Sequence, residues 1–339
     1  IEYKHGTRKV ITPSGKYTIE RPIGDSSSFG FLFSSKFGKK RVLIKQQSFD
    51  ECAYCEAGLR ELSVLVYLSD PQMAHPNIIR LLNAWMIHDN LYLVIPQMEC
   101  SLHQYANGAP VPTEERMIIL TQLISALRYL HVCGIIHRDL RAENVVMNRD
   151  CSNVCLIDFG SSRMVTPHRQ TLGKYVSTFS CRAPECDTGH FSKASDVWSF
   201  GCLLYELITA KSLFEDEDTS LSPDDVHAII DSLEGTATDH EIFLLQRILE
   251  WNPEHRITSD HMYELHYRYI VRNKPPKCDL PRISFRKIPP ERRFAQITYK
   301  YNDMVQMRKN MKDLIDSFKS RKYSLFTTVK AGGVSRHSL

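Results

Sequence analysis

Ile136-His-Arg-Asp-Leu-Arg-Ala-Glu-Asn144, with Ile157-Asp-Phe-Gly160 close behind it, is the stretch on which the fold turns. Both strings set carboxylate and amide side chains between apolar residues. Ala183-Pro-Glu185 and Ser195-Asp-Val-Trp-Ser-Phe-Gly201 follow in order, and Val42-Leu-Ile-Lys45 and Glu61 lie upstream. Any one of these strings alone carries little weight. Six in one order, separated by predicted elements of fitting type, narrow the fold sharply.

Outward from them, the first hundred residues read as strand-rich. Lys16–Ile23, Phe31–Lys36 and Arg41–Gln46 are short runs with β-branched or aromatic residues, punctuated by Gly24, Gly30 and Gly38. Leu59, Leu62, Leu65 and Val66 recur at helical spacing beside Glu61. Further strands are predicted at Ile78–Ile87 and Leu91–Ile95, joined by a turn at His88-Asp-Asn90. After about residue 98 the pattern turns helical. An amphipathic run opens at Thr113 and closes at Gly134, and Ser195–Thr209 is apolar enough for a buried helix. The expected fold class is α+β and bilobal, with a small N-terminal antiparallel sheet lobe carrying one helix and a larger C-terminal α-helical lobe. The expected bounds are an N-terminal extension at 1–15, lobes at 16–98 and 99–270, and a tail at 271–339. A ligand cleft between lobes is the natural expectation.

The chain has 339 residues, 42% apolar and 24% charged, which excludes a mostly disordered chain. No run approaches the eighteen or so apolar residues of a membrane span, and no leader of charged, apolar and small residues follows Ile1. Ten scattered cysteines read as free thiols of a reducing compartment, cytoplasmic or nuclear. The net charge of +4 divides unevenly: residues 271–339 carry +12 and the rest −8.

The ordered strings resemble the eukaryotic protein kinase family from about residue 16 to residue 270. The resemblance implies transfer of the ATP γ-phosphate to protein hydroxyls, with ATP and Mg2+ as cofactors and proteins as substrates. Phosphoryl transfer needs positioning and charge neutralisation more than covalent chemistry. Lys45 would then hold the α- and β-phosphates and Glu61 would pair with it. Asp158 and Asn144 would be the magnesium ligands, and Asp139 the base that accepts the substrate proton. Glu185 would pair with Arg256, and Asp196 would anchor the catalytic loop. Leu65, Leu81, His137 and Phe159 would form a hydrophobic stack.

Around the nucleotide, two places depart from the family pattern. In Ile23-Gly-Asp-Ser-Ser-Ser-Phe-Gly30 the glycines are Gly24 and Gly30, Ser27 stands near the middle glycine's place, and the loop is longer by one residue. Leu43 replaces a small alanine above the adenine, where Leu32 and Val146 would complete the sandwich. Ile95 would be the gatekeeper, and Pro96 and Met98 would meet the base, Pro96 through its carbonyl because it has no N–H. Weakened ATP affinity follows as one expectation, and a pseudokinase-like scaffold binding partners through its tail as the alternative function. Retention of Lys45, Glu61, Asp139, Asn144 and Asp158 favours catalysis.

Arg141 and Ala142 resemble a tyrosine kinase catalytic loop, yet Arg141 keeps positive charge near the γ-phosphate. Tyr175-Val-Ser-Thr-Phe-Ser-Cys-Arg182 resembles the CMGC group, MAP and LAMMER kinases among them, with Thr178 and Arg182 in matching places. Thr178 would bond Asp139 and shape a pocket for a small hydroxyl, so serine/threonine specificity is the reading. Arg138 implies gating by activation-loop phosphorylation. Tyr175 is either the phosphorylated tyrosine or an unmodified ring beneath the loop.

In the tail, residues 271–300 read as extended. Met304, Met307, Met311, Leu314, Ile315 and Phe318 share one helical face. The tail is read as a helix docked on the body. An acidic docking partner is the sharper alternative, and nucleic acid has no motif in its favour. Lys330–Leu339 reads as disordered.

Overall fold

The computed structural model describes residues 2–4, 7–12, 15–23, 30–48, 52–87, 89–164, 171–172, 179–214, 221–273 and 304–331. The chain divides into two compact units, one of residues 1–72, 80–97 and 297–339, the other of residues 73–79 and 98–296.

The first unit is built on an antiparallel sheet. Its strands are β1 (Glu2–Lys4), β2 (Thr7–Thr12), β3 (Gly15–Pro22), β4 (Phe31–Phe37), β5 (Lys40–Ser48), β6 (Asn83–Ile87) and β7 (Asn90–Pro96), in the order β1-β2-β3-β4-β5-β7-β6. Residues 2–12, set apart from the lobe by sequence, thus carry two of its strands. Helix α1 (Cys52–Leu68) lies in sequence between β5 and β6. Side chains alternate along β5. Val42 and Ile44 enter a cluster with Tyr17, Trp85, Tyr92 and Val94, whereas Lys45 and Gln47 point the other way, to Glu61 of α1. Trp85 stacks between Tyr17 and Tyr92 at centroid distances of 5.3 and 5.6 Å, offset contacts that add to the burial itself.

The strand expected at Ile78–Ile87 is half as long. It begins at Asn83, because Ile78 and Ile79 are committed to Leu156 in the second unit, Ile79 donating its N–H to the Leu156 carbonyl at 3.0 Å.

The second unit centres on α3 (Thr113–Val132), which follows β8 (Cys100–Ser101) and the short α2 (Leu102–Ala106). Strands β9 (Ile135–Ile136), β10 (Val145–Met147), β11 (Val154–Leu156) and β12 (Arg163–Met164) carry the loops of the site. Then come β13 (Thr171–Leu172), β14 (His190–Phe191), α4 (Lys193–Thr209), α5 (Pro223–Asp231), α6 (Asp239–Ile248) and α7 (Ser259–Asn273). Ser192 caps α4, its hydroxyl accepting the Ala194 N–H at 3.1 Å. Gly201 lets α4 approach α6, since a Cβ there would lie 2.5 Å from Ile248. Arg116 and Glu241, both buried, pair at 2.8 and 3.0 Å and tie α3 to α6. Helix α7 runs to Asn273, past the expected lobe boundary at 270, and the extended segment expected from 274 onward lies outside the described residues.

The last helix, α8 (Met304–Ala331), belongs to the first unit and packs on α1 and β6. Met307, Met311 and Ile315 of the expected apolar face are buried, and Arg308 pairs with Asp89 at 3.0 Å. The tail is therefore a docked helix over this span. It also takes in Lys330 and Ala331, where the sequence predicts disorder, and residues 332–339 lie outside the described residues. Among the described residues no helix is long and apolar enough to cross a membrane. The eight cysteines whose side chains are described are free and buried, and burial pushes the thiols of Cys155, Cys181 and Cys186 up to about 12, 11 and 11.

Three histidines of the second unit, His75 and His266 buried and His240 half-buried, are held as neutral rings. Desolvation lowers His75 to about 3, His240 to about 4 and His266 to about 3. His266 Nε2 meets the Thr121 hydroxyl at 2.8 Å, and its Nδ1 meets His240 Nε2 at 3.0 Å. In the unfolded chain these rings take up protons near pH 6.5, well above their folded values. Stability from this source is complete above about pH 6.5 and falls as the pH drops towards 3–4. Denaturant titrations between pH 7.5 and 4.5 should show that decline, and His75→Asn should flatten it.

Candidate functional site

The first unit holds an ion pair between a half-buried lysine and a buried glutamate. Lys45 on β5 donates from Nζ to Glu61 Oε1 and Oε2 at 3.0 and 2.9 Å. Strand parity aims Lys45 at α1, and Glu61 lies one helical turn from Leu65 on the buried side of that helix. A second donor, not anticipated from sequence, is Gln47, whose Nε2 lies 2.5 Å from Glu61 Oε2. Its signal was available, since Gln47 shares the Lys45 face of β5 at a spacing of two.

Gly30 stands just before β4, at φ +129. A Cβ there would lie 1.8 Å from the Gln46 carbonyl oxygen and 3.2 Å from the Gln47 Cα. Only glycine permits this approach. Ile23 donates its N–H to the Leu32 carbonyl at 2.8 Å, joining the two ends of the loop. Leu43 is half-buried, in register with Ser34 on one side and Ile95 on the other, and Ile95 and Pro96 end β7.

The second unit holds the carboxylates. Asp196 of α4 is buried and accepts the N–H groups of His137 at 2.7 Å and Arg138 at 2.8 Å, and it meets His131 Nε2 at 3.1 Å. Burial alone would raise its pKa. The His131 hydrogen bond, the neighbouring histidines and the Arg138 N–H outweigh that and hold the carboxyl below its usual range. Arg138 is held at φ +68, a left-handed conformation costly for a side-chain-bearing residue.

Asp139 follows it. Asn144 donates both amide hydrogens to Asp139, at 2.8 Å to the carbonyl and 2.8 Å to Oδ2, which directs its own oxygen elsewhere. Ile157 donates its N–H to the Asn144 carbonyl at 2.9 Å, bringing Asp158 beside Asn144. Asp158 is itself at φ +61 and accepts the Gly160 N–H at 3.2 Å. The Asn144 amide oxygen and the Asp158 carboxylate are hard donors suited to Mg2+. Val146, half-buried on β10, pairs with Ser101 and Cys155, and Met98 opens this unit's main segment.

Arg141 forms a two-pronged ion pair with Glu143, Nε to Oε2 at 2.7 Å and Nη2 to Oε1. This hydrogen bond raises the Arg141 pKa and lowers that of Glu143, each against the cost of burial. Sequence reasoning passed over Glu143. Arg138 lies 4.1 Å over the Phe191 ring, with Nη1 on the Ser161 carbonyl at 3.2 Å, and Arg182 lies 3.8 Å from Asp187. Glu185 and Arg256 form the expected bidentate pair at 2.7 and 3.0 Å. His137 and Phe159 meet edge to face at 5.2 Å. Gly24, Ser27, Tyr175 and Thr178 lie outside the described residues.

A family model described as protein kinase domain matches residues 29–268. The chain is similar to extracellular signal-regulated kinase 2 of Dictyostelium discoideum, 27% identical over 87% of this chain and 91% of the relative. It is also similar to mitogen-activated protein kinase HOG1A of Wallemia ichthyophaga, 29% identical over 74% and 76%. Similarity to putative mitogen-activated protein kinase 14C of Drosophila melanogaster is 35% over 54% of this chain and 50% of the relative.

Gly30→Ala adds a Cβ where backbone already stands and fixes an unfavourable φ. We expect a loss of at least about 2 kcal/mol of stability, read from the urea midpoint of the full chain. A midpoint equal to wild type would show that the loop does not need glycine at this position.

Proposed function

Because the chain belongs to the protein kinase family, as a serine/threonine kinase of CMGC, MAP-kinase-like type, we propose that five side chains carry its reaction: Lys45, Glu61, Asp139, Asn144 and Asp158. Kinases of this family use ATP and Mg2+, and the oxygen donors of Asn144 and Asp158 fit that ion. Bound Mg-ATP supplies the phosphoryl group and the charge that balances it. Lys45, aimed by Glu61, holds phosphate oxygens through an ammonium whose direction is set before substrate arrives. Asp139 orients the acceptor hydroxyl and takes its proton at the carboxylate. Asn144 fixes Asp139 by the two hydrogen bonds to its carbonyl and Oδ2. Arg141, released from Glu143, offers a planar cation to the phosphoryl oxygens.

The observation that carries this reading is the Asp139–Asn144–Asp158 arrangement, held by one buried carboxylate and two left-handed residues. Ile23, Gly24, Ser27, Gly30, Leu32, Leu43, Ile95, Pro96, Met98 and Val146 are proposed to surround the nucleotide. Thr178 is proposed to favour a small hydroxyl acceptor, with Arg138, Tyr175 and Arg182 in the regulatory role. For the tail, the exposed Lys309 and Lys312 of α8 support an acidic docking partner. The buried free thiols support a reducing compartment, cytoplasm or nucleus.

Transfer of labelled γ-phosphate from Mg-ATP to a basic protein, with phosphoamino-acid analysis, tests the reading. Label should appear on serine or threonine. Asp139→Asn should lower kcat by about 10²–10⁴-fold with the ATP KM near wild type, and Asp158→Asn should abolish transfer. Wild-type turnover in Asp139→Asn would overturn the assignment.

A further inference from the structure

Gln47 is a costly residue to bury on β5. Its side chain is buried, and its Oε1 has no hydrogen-bond partner among the described residues. A buried polar atom left unsatisfied works against folding and calls for an explanation. The other end of the same amide supplies one. Nε2 lies 2.5 Å from Glu61 Oε2, the oxygen that also accepts from Lys45 at 2.9 Å.

We propose that Gln47 is a positioning residue for phosphoryl transfer, holding the Glu61 carboxylate in place through its amide N–H so that Lys45 stays aimed at the nucleotide. The inference rests on the reading of Lys45 and Glu61 given above. A carboxylate offers about four lone-pair sites. Two face the Lys45 ammonium and one faces Gln47. The geometry also fixes which way the amide lies, because Oε1 turned toward Glu61 would set oxygen against oxygen. Lys45 has two tasks, pairing with Glu61 and meeting phosphate, and an ammonium drawn toward phosphate loosens its hold on the carboxylate. Among the described residues Gln47 has no such competing partner. Its donor stays on Glu61 in both situations and keeps α1 in register with β5. Gly30 supports the same spot from the other side, since its approach to the Gln46 carbonyl and the Gln47 Cα pins the strand at that point.

The test is a double-mutant cycle in the full chain, using Gln47→Met, which keeps length and loses the donor, and Glu61→Gln. Gln47→Leu repeats the first arm with a different shape. Kinetics are normalised to folded protein, with the thermal midpoint recorded for each variant. Gln47→Met should lower kcat/KM for ATP roughly tenfold, the scale of one hydrogen bond to a charged group. The KM for the protein substrate should be unchanged. In the Glu61→Gln background, Gln47→Met should cost nothing further. A purely structural glutamine would shift the midpoint equally in both backgrounds and leave kcat/KM per folded molecule at wild type, and that result overturns the inference. Independent losses that multiply in the double variant overturn it as well. If Glu61→Gln alone leaves transfer at wild type, the Lys45–Glu61 reading itself fails, and the inference fails with it.

Discussion

One buried carboxylate organises the loop that carries Asp139. Asp196 lies on α4, in a part of the chain far from the loop it serves, and gathers two successive backbone N–H groups and an imidazole. Desolvating a carboxylate is expensive, and charge-assisted hydrogen bonds repay it only when several converge. They converge here because α4 is apolar around Asp196, with Trp198 and Phe200 fully buried beside it. The two amides held by Asp196 force Arg138 into a left-handed turn, and that turn presents Asp139 to Asn144. Helix packing, backbone strain and the orientation of Asp139 are thus successive links of one chain of cause.

Much of this was legible in the sequence, and the legible part has a common character. Lys45, Glu61, Asp139, Asn144, Asp158, Asp196, Glu185 and Arg256 could be read because each sits in a short string whose spacing survives folding. β5, α3 and α4 could be read because one periodicity dominates each of them. The strand predicted from Ile78 was too long for a tertiary reason: Ile78 is apolar and β-branched, like any strand residue, but its backbone partner is Leu156. No local pattern encodes that choice.

Gln47 and Glu143 show the opposite limit. A glutamine in a strand and a glutamate beside a catalytic loop look like ordinary polar residues until their partners are in place. Gln47 matters through its alignment with Lys45 on one face of β5, and Glu143 through a guanidinium two residues earlier. Both are short-range effects, yet neither depends on residue type alone. The resemblance puts the positive charge of Arg141 near the γ-phosphate, and the structure adds that Glu143 engages its Nε and Nη2.

The buried thiols described above have a consequence for how the molecule reports on itself. Alkylating reagents attack the thiolate, and Cys155, Cys181 and Cys186 are screened both by packing and by pKa values pushed far above neutrality. These three thiols are therefore nearly silent toward such reagents while the fold is intact, and an adduct at any of them marks an opening of its own neighbourhood. Cys155 lies on β11 just ahead of Asp158, Cys181 and Cys186 flank Ala183-Pro-Glu185, and Cys55 lies in α1. Read residue by residue, cysteine labelling would time the breathing of the chain's working parts separately, a dosimeter written into its own composition.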